Sequence, residues 1–393
     1  MKFYTLFLVF SNIFALTYSV PVEECKKLKN LIDVEKVKNY GDDCCKNDKV
    51  ECDESQNHII KLHLESELKQ EENLTIQTFV DNFQNLEVLD ISKNLLQGDL
   101  VIPSNSTLKY LNISNNRYTG NLDIPENSKL EELNVHFNKL TGKLNIPKNS
   151  QLKKLDARRN SLSGDLVIPE NSNLEELHIY SNMLTGNLNI PKDSKLKILS
   201  VADNKLTGEL VIPENSELIK LDIPNNQFSG KLNIPENSKL TFLDVGKNKL
   251  TGELVIPNNS KLEELHVYDN ELTGQLNIPE NSTLQILDVS NNKLSGELVI
   301  PKNSNLKHLD IRNNELSGNL DIPNNTKINT LCLSGNEFNN DVNDIGKCVE
   351  YETSSKTSYK TYKLIFVVVV VVIILLILIV TCCKKNKKNN NNN

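Results

Sequence analysis

Aromatic, histidine and arginine side chains that could anchor a partner occur at equivalent places in several short segments of the chain. They are His136, Phe137, Arg158, Arg159, His178, Tyr180, His266, Tyr268 and Arg312. Side chains of these types are common anchors of binding surfaces. The sequence therefore predicts a ligand-binding surface that contains them. The alternative is tandem copying without a site, because the segments LEELHIYSN and LEELHVYDN are near duplicates.

Metal binding and catalysis need side chains that converge on one point. His178 and His266 lie four copies of the segment apart, which is about 19 Å if each copy adds one strand at about 4.8 Å. A zinc ion bonds nitrogen at about 2.0 Å, so these histidines cannot share one. Carboxylates are abundant only because the segment recurs, and the sequence has no glycine-rich phosphate loop or nucleophile elbow. We expect no enzyme activity, no metal and no cofactor.

Proline and glycine mark a 22-residue repeat that positions these side chains. Ile-Pro pairs recur from Pro103 to Pro323 without an insertion, and the unit that begins at Leu130 reads LEELNVHFNKLTGKLNIPKNSQ. Apolar alternation at Leu133 and Val135 predicts a short strand with one face inward. Equivalent strands would pair in parallel, and stacking would bury the apolar face that a lone unit cannot bury.

This unit resembles the leucine-rich repeat. The resemblance lies in the leucines, the asparagine, the glycine and the Ile-Pro pair, each of which recurs at a fixed position. The unit is similar to the plant-type subclass of receptor-like proteins and polygalacturonase inhibitors. The resemblance covers about residues 59 to 348. It implies an L domain-like solenoid with a curved parallel sheet on the concave face. Because the unit is shorter than usual for this subclass, we expect a convex side of extended chain and turns with little helix.

Three recurrent or unusual positions are interpreted as structural. Asn138 and its equivalents turn the chain inward, and their amides can satisfy backbone groups at the bend. Aspartate follows the second leucine in many units, which the plant-type pattern itself favours, so we attribute this aspartate to the repeat and not to a site. These aspartates are Asp90, Asp156, Asp222, Asp244, Asp288 and Asp310. Pro224 lacks the N–H of a central strand, but one lost hydrogen bond is small against the burial of several leucines, so we predict that the sheet continues past it with at most a local defect at the strand end.

Cysteines frame the repeats. Cys25, Cys44, Cys45 and Cys52 precede the repeats, and Cys332 and Cys348 end them. Even numbers favour disulfides in an oxidising compartment, although four cysteines allow three pairings. The resemblance to plant-type caps implies that Cys25 pairs with Cys44 and Cys45 with Cys52, and Cys332 with Cys348 would close the last coil. We predict an N-terminal cap over residues 20–58, a solenoid over 59–338 and a C-terminal cap over 339–348.

Apolar segments near both ends predict a single-pass membrane protein. Residues 1–19 have the pattern of a cleaved signal peptide, and the aliphatic run 364–383 is long enough for a transmembrane helix. Residues 349–363 are typical of a flexible stalk. Lysines in 384–393 predict that this tail is cytoplasmic and that the repeats are extracellular at the plasma membrane. A glycolipid-anchor signal is the alternative, against which the basic tail argues.

The predicted partners follow from charge and topology. The formal net charge is −7, and the ectodomain is more acidic still without the lysines near both ends, so we expect no nucleic-acid partner. The resemblance implies a recognition protein with a protein or peptide ligand on the concave face. Its predicted tail is too short to signal alone, so we expect a membrane co-receptor. The alternative is an adhesion protein or spacer that binds a repeating cell-wall glycan, although the chain has no tryptophan for sugar stacking.

Asparagine sequons predict glycans in an extracellular chain. The predicted acceptors are Asn73, Asn105, Asn281 and Asn324. A further sequon at Asn112 falls on a predicted strand, where a glycan would block the concave face.

Overall fold

Each 22-residue repeat folds into one coil with two short extended segments. The computed structural model describes residues 23–33, 43–69, 74–324, 327–346 and 348. The residues up to Gly346 form one compact unit. Two sheets, here called sheet A and sheet B, run along this unit, and the apolar core lies between them.

Sheet A is formed by the strand that the leucine alternation predicts. Equivalent residues pair 22 positions apart, as Leu155 does with Leu177, and every pairing but the first is parallel. Within the described residues its strands are, in order, Val50–Cys52, Ile59–His63, Val88–Asp90, Tyr110–Asn112, Glu132–Asn134, Lys154–Asp156, Glu176–His178, Ile198–Ser200, Lys220–Asp222, Phe242–Asp244, Glu264–His266, Ile286–Asp288, His308–Asp310 and Thr330–Cys332. The predicted parallel sheet is confirmed.

Sheet B was not predicted from the sequence, which suggests only extended chain and turns on that side. Its described strands are Ser163–Val167, Met183–Asn189, Thr207–Val211, Gln227–Asn233, Lys249–Glu253, Glu271–Gly274, Lys293–Glu297, Glu315–Gly318 and Glu337–Phe338. Two smaller pairs precede it: Gln97–Asp99 with Arg117–Thr119, and Leu122–Asp123 with Leu144–Asn145. The extended chain is thus hydrogen-bonded from coil to coil.

Helix is scarce, as predicted from the short unit. The described helices are Glu23–Leu31, Ile76–Asn82 and the 3₁₀ turn Cys44–Lys46. No helix in the described ranges is long and apolar enough to cross a membrane. The predicted signal peptide (1–19), stalk (349–363), transmembrane run (364–383) and tail (384–393) lie outside the residues that the structure describes.

The core of each coil consists of the repeated aliphatic positions. In one coil, Leu174, Leu177, Ile179, Leu184 and Leu188 are all buried. Burial of such a side chain contributes about 1.5 to 3 kcal/mol. Because these side chains pack against those of the adjacent coils, stability is distributed along the stack.

The recurrent asparagine ties neighbouring coils together. Asn204 Nδ2 donates to the carbonyl oxygens of Ile179 and Val201, each at 3.1 Å. Its Oδ1 accepts the Leu184 amide at 3.0 Å. The same three contacts recur along the column, for example at Asn182. The structural interpretation of this column is therefore confirmed.

Pro224 leaves sheet A intact, but for a different reason from the one that the sequence suggests. The strand Lys220–Asp222 pairs in register with both neighbours. In other coils the amide at this position does not bond the next strand, since it donates to the aspartate two residues earlier, as Gly246 does to Asp244 at 2.9 Å. Proline therefore removes a local turn bond and no bond of the sheet.

The N-terminal end of the core is covered by a disulfide-bonded cap. Cys25 bonds Cys44, and Cys45 bonds Cys52, which is the pairing that the resemblance implies. The strand that ends at Cys52 joins the edge of sheet A in antiparallel orientation. Cys332 and Cys348 are also in disulfide bonds.

Candidate ligand-binding face

The outer face of sheet A carries two adjacent rows of side chains. The first row, here called the aspartate row, follows the inward leucine of each strand and includes Asp156, His178, Asp222, Asp244, His266, Asp288 and Asp310. The second row lies two residues further along each coil and includes His136, Arg158, Tyr180, Pro224, Gly246, Tyr268, Ser290 and Arg312. Because the strands pair in register, members of one row are neighbours at about 4.8 Å.

A basic and aromatic cluster occupies three consecutive coils of this face. Arg158 Nη1 donates to the Tyr180 hydroxyl at 3.1 Å. The Arg159 guanidinium carbon lies 4.7 Å from the centre of the Phe137 ring, and the His136 and Phe137 rings are 5.4 Å apart. All five side chains are partly exposed. The structure thus brings these predicted site residues together.

Phe137 and Arg159 have left-handed backbone conformations, with φ of 52° and 54°. Bulky residues rarely adopt this region, which costs about 1 to 2 kcal/mol per residue. The equivalent position has positive φ in most coils, for example at Ser181 and Lys247. The strain therefore belongs to the coil's turn, and it sets the direction in which Phe137 and Arg159 project.

His178 lies between this cluster and an acidic segment of the aspartate row. Its Nε2 is 3.5 Å from Glu176 Oε2, and Lys154 Nζ is 2.8 Å from the same oxygen. Lys154 lowers the pKa of Glu176 by its hydrogen bond and its charge, with a smaller contribution from His178, although partial burial opposes this. Glu176 is therefore held as a carboxylate in this part of the face.

The acidic segment consists of Asp222, Asp244, Asp288 and Asp310, with His266 in the middle. Burial raises the pKa of Asp244 to about 7, although His266 and the Gly246 amide partly offset that effect. Burial also raises the pKa of Asp222 and of Asp288, and the charge of Asp310 adds to it at Asp288. Asp222, Asp244 and Asp288 therefore hold protons more tightly than free aspartates do.

Two predicted anchors in this segment are not exposed. His266 is only 4% exposed and Tyr268 only 6%. Burial lowers the pKa of His266, but Glu264, Asp244 and Asp288 offset it, so its pKa is raised overall. Burial and the charges of Asp244 and Asp288 raise the pKa of Tyr268. Neither side chain projects from the surface as expected from the sequence, because both pack against the sheet.

Arg312, the last predicted anchor, is already paired within the chain. Its Nε and Nη2 donate to the carboxylate of Asp310 at 2.6 to 3.0 Å. Asp310 thus neutralises most of the charge that Arg312 could offer to a partner.

Other parts of the described chain offer weaker candidates. The described group with three possible metal ligands, Cys25, Cys44 and Cys45, is already in disulfides. A cavity of about 550 Å³ lies beside Leu333 and Phe338, where the described repeats end. None of the predicted anchors lines this cavity.

The sequons differ in their accessibility. Asn105, Asn281 and Asn324 are exposed in turns, whereas Asn73 lies outside the described residues. The Asn112 side chain contacts Asp90 and the Ser114 amide at 2.9 and 3.1 Å. A further sequon, Asn258-Asn259-Ser260, is not among the predicted acceptors. Asn258 is also exposed in a turn.

Comparison with known proteins identifies the repeat. A family model described as Leucine Rich repeat matches residues 280–297 and 302–319. No curated protein matches the chain by sequence. Among solved structures, a TDR receptor is 31% identical over 67% of this chain and 49% of its own, with a TM-score of 0.56. The chain thus spans about half the length of that receptor structure.

Two further structures share the fold. InlJ from Listeria monocytogenes is 26% identical over 71% of this chain and 63% of its own, with a TM-score of 0.54. A plant ice-binding protein is 25% identical over 72% of this chain and 89% of its own, with a TM-score of 0.50. Together with the repeat geometry, these similarities show that the chain is a leucine-rich-repeat protein that resembles receptor ectodomains of the plant type.

Proposed function

We propose that the chain is a non-enzymatic recognition protein that binds a protein or peptide on the outer face of sheet A. The main support is the cluster of Phe137, Arg159, Arg158 and Tyr180, which form two contacting pairs on three consecutive coils and remain partly exposed. Such connected aromatic and arginine side chains are common centres of interfaces. The similarity to a TDR receptor supports a receptor-like role.

Cell-surface placement is part of this proposal. We propose a cleaved signal over 1–19, extracellular repeats, a transmembrane helix over 364–383 and a cytoplasmic tail over 384–393. Signalling would then need a membrane co-receptor. Protease treatment of intact cells should remove the repeats and leave a small membrane stub. Release of the whole protein by a phospholipase that cuts glycolipid anchors would contradict this topology.

The binding proposal is tested with the full-length protein and a matched pair of variants. Arg159→Ala removes the guanidinium from the Phe137 ring, whereas Arg117→Ala removes an exposed arginine away from sheet A. Partners captured from cell-surface fractions by the wild-type protein are identified, purified and bound again. We expect Arg159→Ala to weaken that binding about 10-fold or more, as hot-spot residues do, and Arg117→Ala to leave it unchanged. Equal binding by all three proteins would contradict the proposal.

A second candidate is an adhesion protein or spacer that binds a repeating cell-wall glycan. It is favoured by the surface along sheet B, where exposed valines recur every second coil, within the strands or two residues beyond their ends. These valines, Val167, Val211, Val255 and Val299, are 61% to 67% exposed. Asparagine takes the same place in the coils between them, at Asn189, Asn233 and Asn277.

The glycan proposal predicts binding along this regular surface. The full-length protein should sediment with insoluble chitin or cellulose, and Val211→Lys together with Val255→Lys should abolish this by placing two charges in the row. The Arg159→Ala protein should sediment as the wild type does. Failure of the wild-type protein to sediment with any cell-wall polysaccharide would remove this candidate.

A further inference from the structure

Two arginines of the second row show how the aspartate row holds a guanidinium. Arg312 Nε and Nη2 donate hydrogen bonds to the Asp310 carboxylate at 2.6 to 3.0 Å. Arg158 Nε lies 3.1 Å from Asp156 Oδ2, as an ion pair without ideal hydrogen-bond direction. An arginine two residues after the aspartate therefore places its charge on that aspartate.

The Arg158 site is completed by a tyrosine from the next coil. Tyr180 lies 22 residues after Arg158, and its hydroxyl accepts from Nη1 at 3.1 Å. The guanidinium carbon is 5.5 Å from the centre of the Tyr180 ring. One arginine is thus held by an aspartate of its own coil and by the hydroxyl and ring of the following coil.

The same aspartate and tyrosine recur 88 residues later, but without the arginine. Asp244 corresponds to Asp156 and Tyr268 to Tyr180, whereas the position of Arg158 is taken by Gly246. The Gly246 amide donates to Asp244 at 2.9 Å. These two adjacent coils therefore supply the carboxylate and the hydroxyl of a guanidinium site but no guanidinium.

Tyr268 has an unsatisfied group at this place. Its hydroxyl has no hydrogen-bond partner among the described residues, although the side chain is only 6% exposed. The ring lies back over Gly246, with Cε1 and Cζ 2.3 and 2.5 Å from the point where a Cβ of residue 246 would be. The ring therefore occupies the space that a side chain at position 246 would take. An unmade bond at a buried hydroxyl costs about 1 to 3 kcal/mol, which a donor from a ligand would recover.

We propose that Asp244 and Tyr268 form a subsite for an arginine side chain of a bound protein or peptide. The ligand arginine takes the place of Arg158 in the earlier coil, with its guanidinium on Asp244 and against the Tyr268 hydroxyl. Tyr268 must turn away from Gly246 toward the position that Tyr180 has over Arg158. Arginine suits this site better than lysine, because its planar group can bond a carboxylate and a hydroxyl together. The ligand class rests on the proposed function, but the subsite can be tested separately.

The test uses small probes, so it does not depend on the natural partner. N-acetyl-arginine amide and its neutral analogue N-acetyl-citrulline amide are titrated against the full-length protein and followed by saturation-transfer NMR. Charged hydrogen bonds contribute about 1.5 to 3 kcal/mol, so we expect the arginine probe to bind about 10-fold to 150-fold more tightly. Equal binding of the two probes would overturn the proposal.

Three variants locate the subsite. Asp244→Asn keeps the acceptor for the Gly246 amide but removes the charge, and Gly246→Arg supplies the guanidinium from the chain itself. Both should reduce binding of the arginine probe at least 10-fold. Asp90→Asn, in the same row beside Asn112, should not change it. Unchanged binding in both Asp244→Asn and Gly246→Arg, with melting temperatures that show folded protein, would overturn the assignment.

Chemical rescue gives a second measurement that does not depend on the stability of those variants. Arg158→Gly converts the Asp156 and Tyr180 site into a copy of the proposed one. Methylguanidinium should then bind this variant at one site more than it binds the wild type. The wild type should bind methylguanidinium in preference to methylammonium. No gain in Arg158→Gly would show that an aspartate and a tyrosine in this arrangement do not hold a free guanidinium.

If the probes bind as expected but no protein partner is found, the subsite stands and the proposed function fails. If a partner is found whose binding tolerates both Asp244→Asn and Gly246→Arg, the proposed function stands and the arginine subsite fails.

Discussion

Buried aspartates with raised pKa values should make the fold less stable as the pH rises. Asp244 has a pKa of about 7, mainly because of its burial, whereas an unfolded aspartate titrates near 3.9. The folded chain therefore binds a proton that the unfolded chain releases between about pH 4 and pH 7. Stability falls with increasing pH wherever the folded state binds more protons.

The magnitude follows from the size of that shift. About three pKa units correspond to about 4 kcal/mol, and about 2 kcal/mol of this falls between pH 5.5 and pH 8. His266 adds to the effect, because its raised pKa gives stability at low pH that is lost as the pH rises through that pKa. We expect the melting temperature to be about 4 °C lower at pH 8 than at pH 5.5, at about 2 °C per kcal/mol for a unit of this size.

The assay is thermal unfolding of the full-length wild-type, Asp244→Asn and Asp90→Asn proteins at both pH values, followed by far-ultraviolet circular dichroism. Asp244→Asn should reduce the pH dependence, leaving the part that Asp222, Asp288 and His266 contribute, and should stabilise the protein at pH 8. Asp90→Asn should retain the wild-type difference. The reasoning is refuted if the wild-type protein is equally stable at both pH values, or if Asp244→Asn keeps the full difference.

Three further predictions concern the stability of the coils. Asn204→Ala should destabilise the repeats by about 2 to 4 kcal/mol in urea unfolding, because it leaves buried backbone groups unpaired, whereas the exposed Asn237→Ala should change stability by less than about 0.5 kcal/mol. Reduction of the disulfides should cost about 2 to 5 kcal/mol, and an unchanged melting temperature after confirmed reduction would contradict a stabilising cap. Gly208→Ala should cost at least about 1 kcal/mol, because φ is +85° there and the new Cβ would lie 2.4 Å from Asn187 Oδ1; Gly98→Ala, with φ of +101° and no atom within 4 Å, should cost less.

The repeat made most of the fold predictable. Leucine alternation at Leu133 and its equivalents fixes one face of a strand, and a constant period without insertions leaves parallel stacking as the only way to bury that face. Sheet B could not be predicted in the same way. Its strands contain glycines with positive φ, such as Gly186, and their pairing shifts register between coils, so no simple alternation marks them.

The site was harder to predict than the fold, because exposure depends on neighbouring coils. Tyr180 and Tyr268 occupy equivalent places in nearly identical segments, yet only Tyr180 is partly exposed. The difference lies in the residue 22 positions earlier. Arg158 packs against the Tyr180 ring, whereas Gly246 has no side chain and leaves room for the Tyr268 ring to pack onto the sheet. A residue's role in this chain is set by its neighbour one period away as much as by its own identity.

The asparagine column also bears on how such a chain can change length in evolution. Every side-chain hydrogen bond of Asn204 is made within its own coil or with the adjacent one, at fixed offsets of 2, 3, 20 and 25 residues. Unequal recombination between near-identical repeats of a gene adds or removes whole multiples of one period. Such an event would join an asparagine to a new neighbour with every donor and acceptor still in place. The number of coils can therefore change in a single recombination event without loss of the asparagine contacts. Each added coil brings its own surface side chains with it.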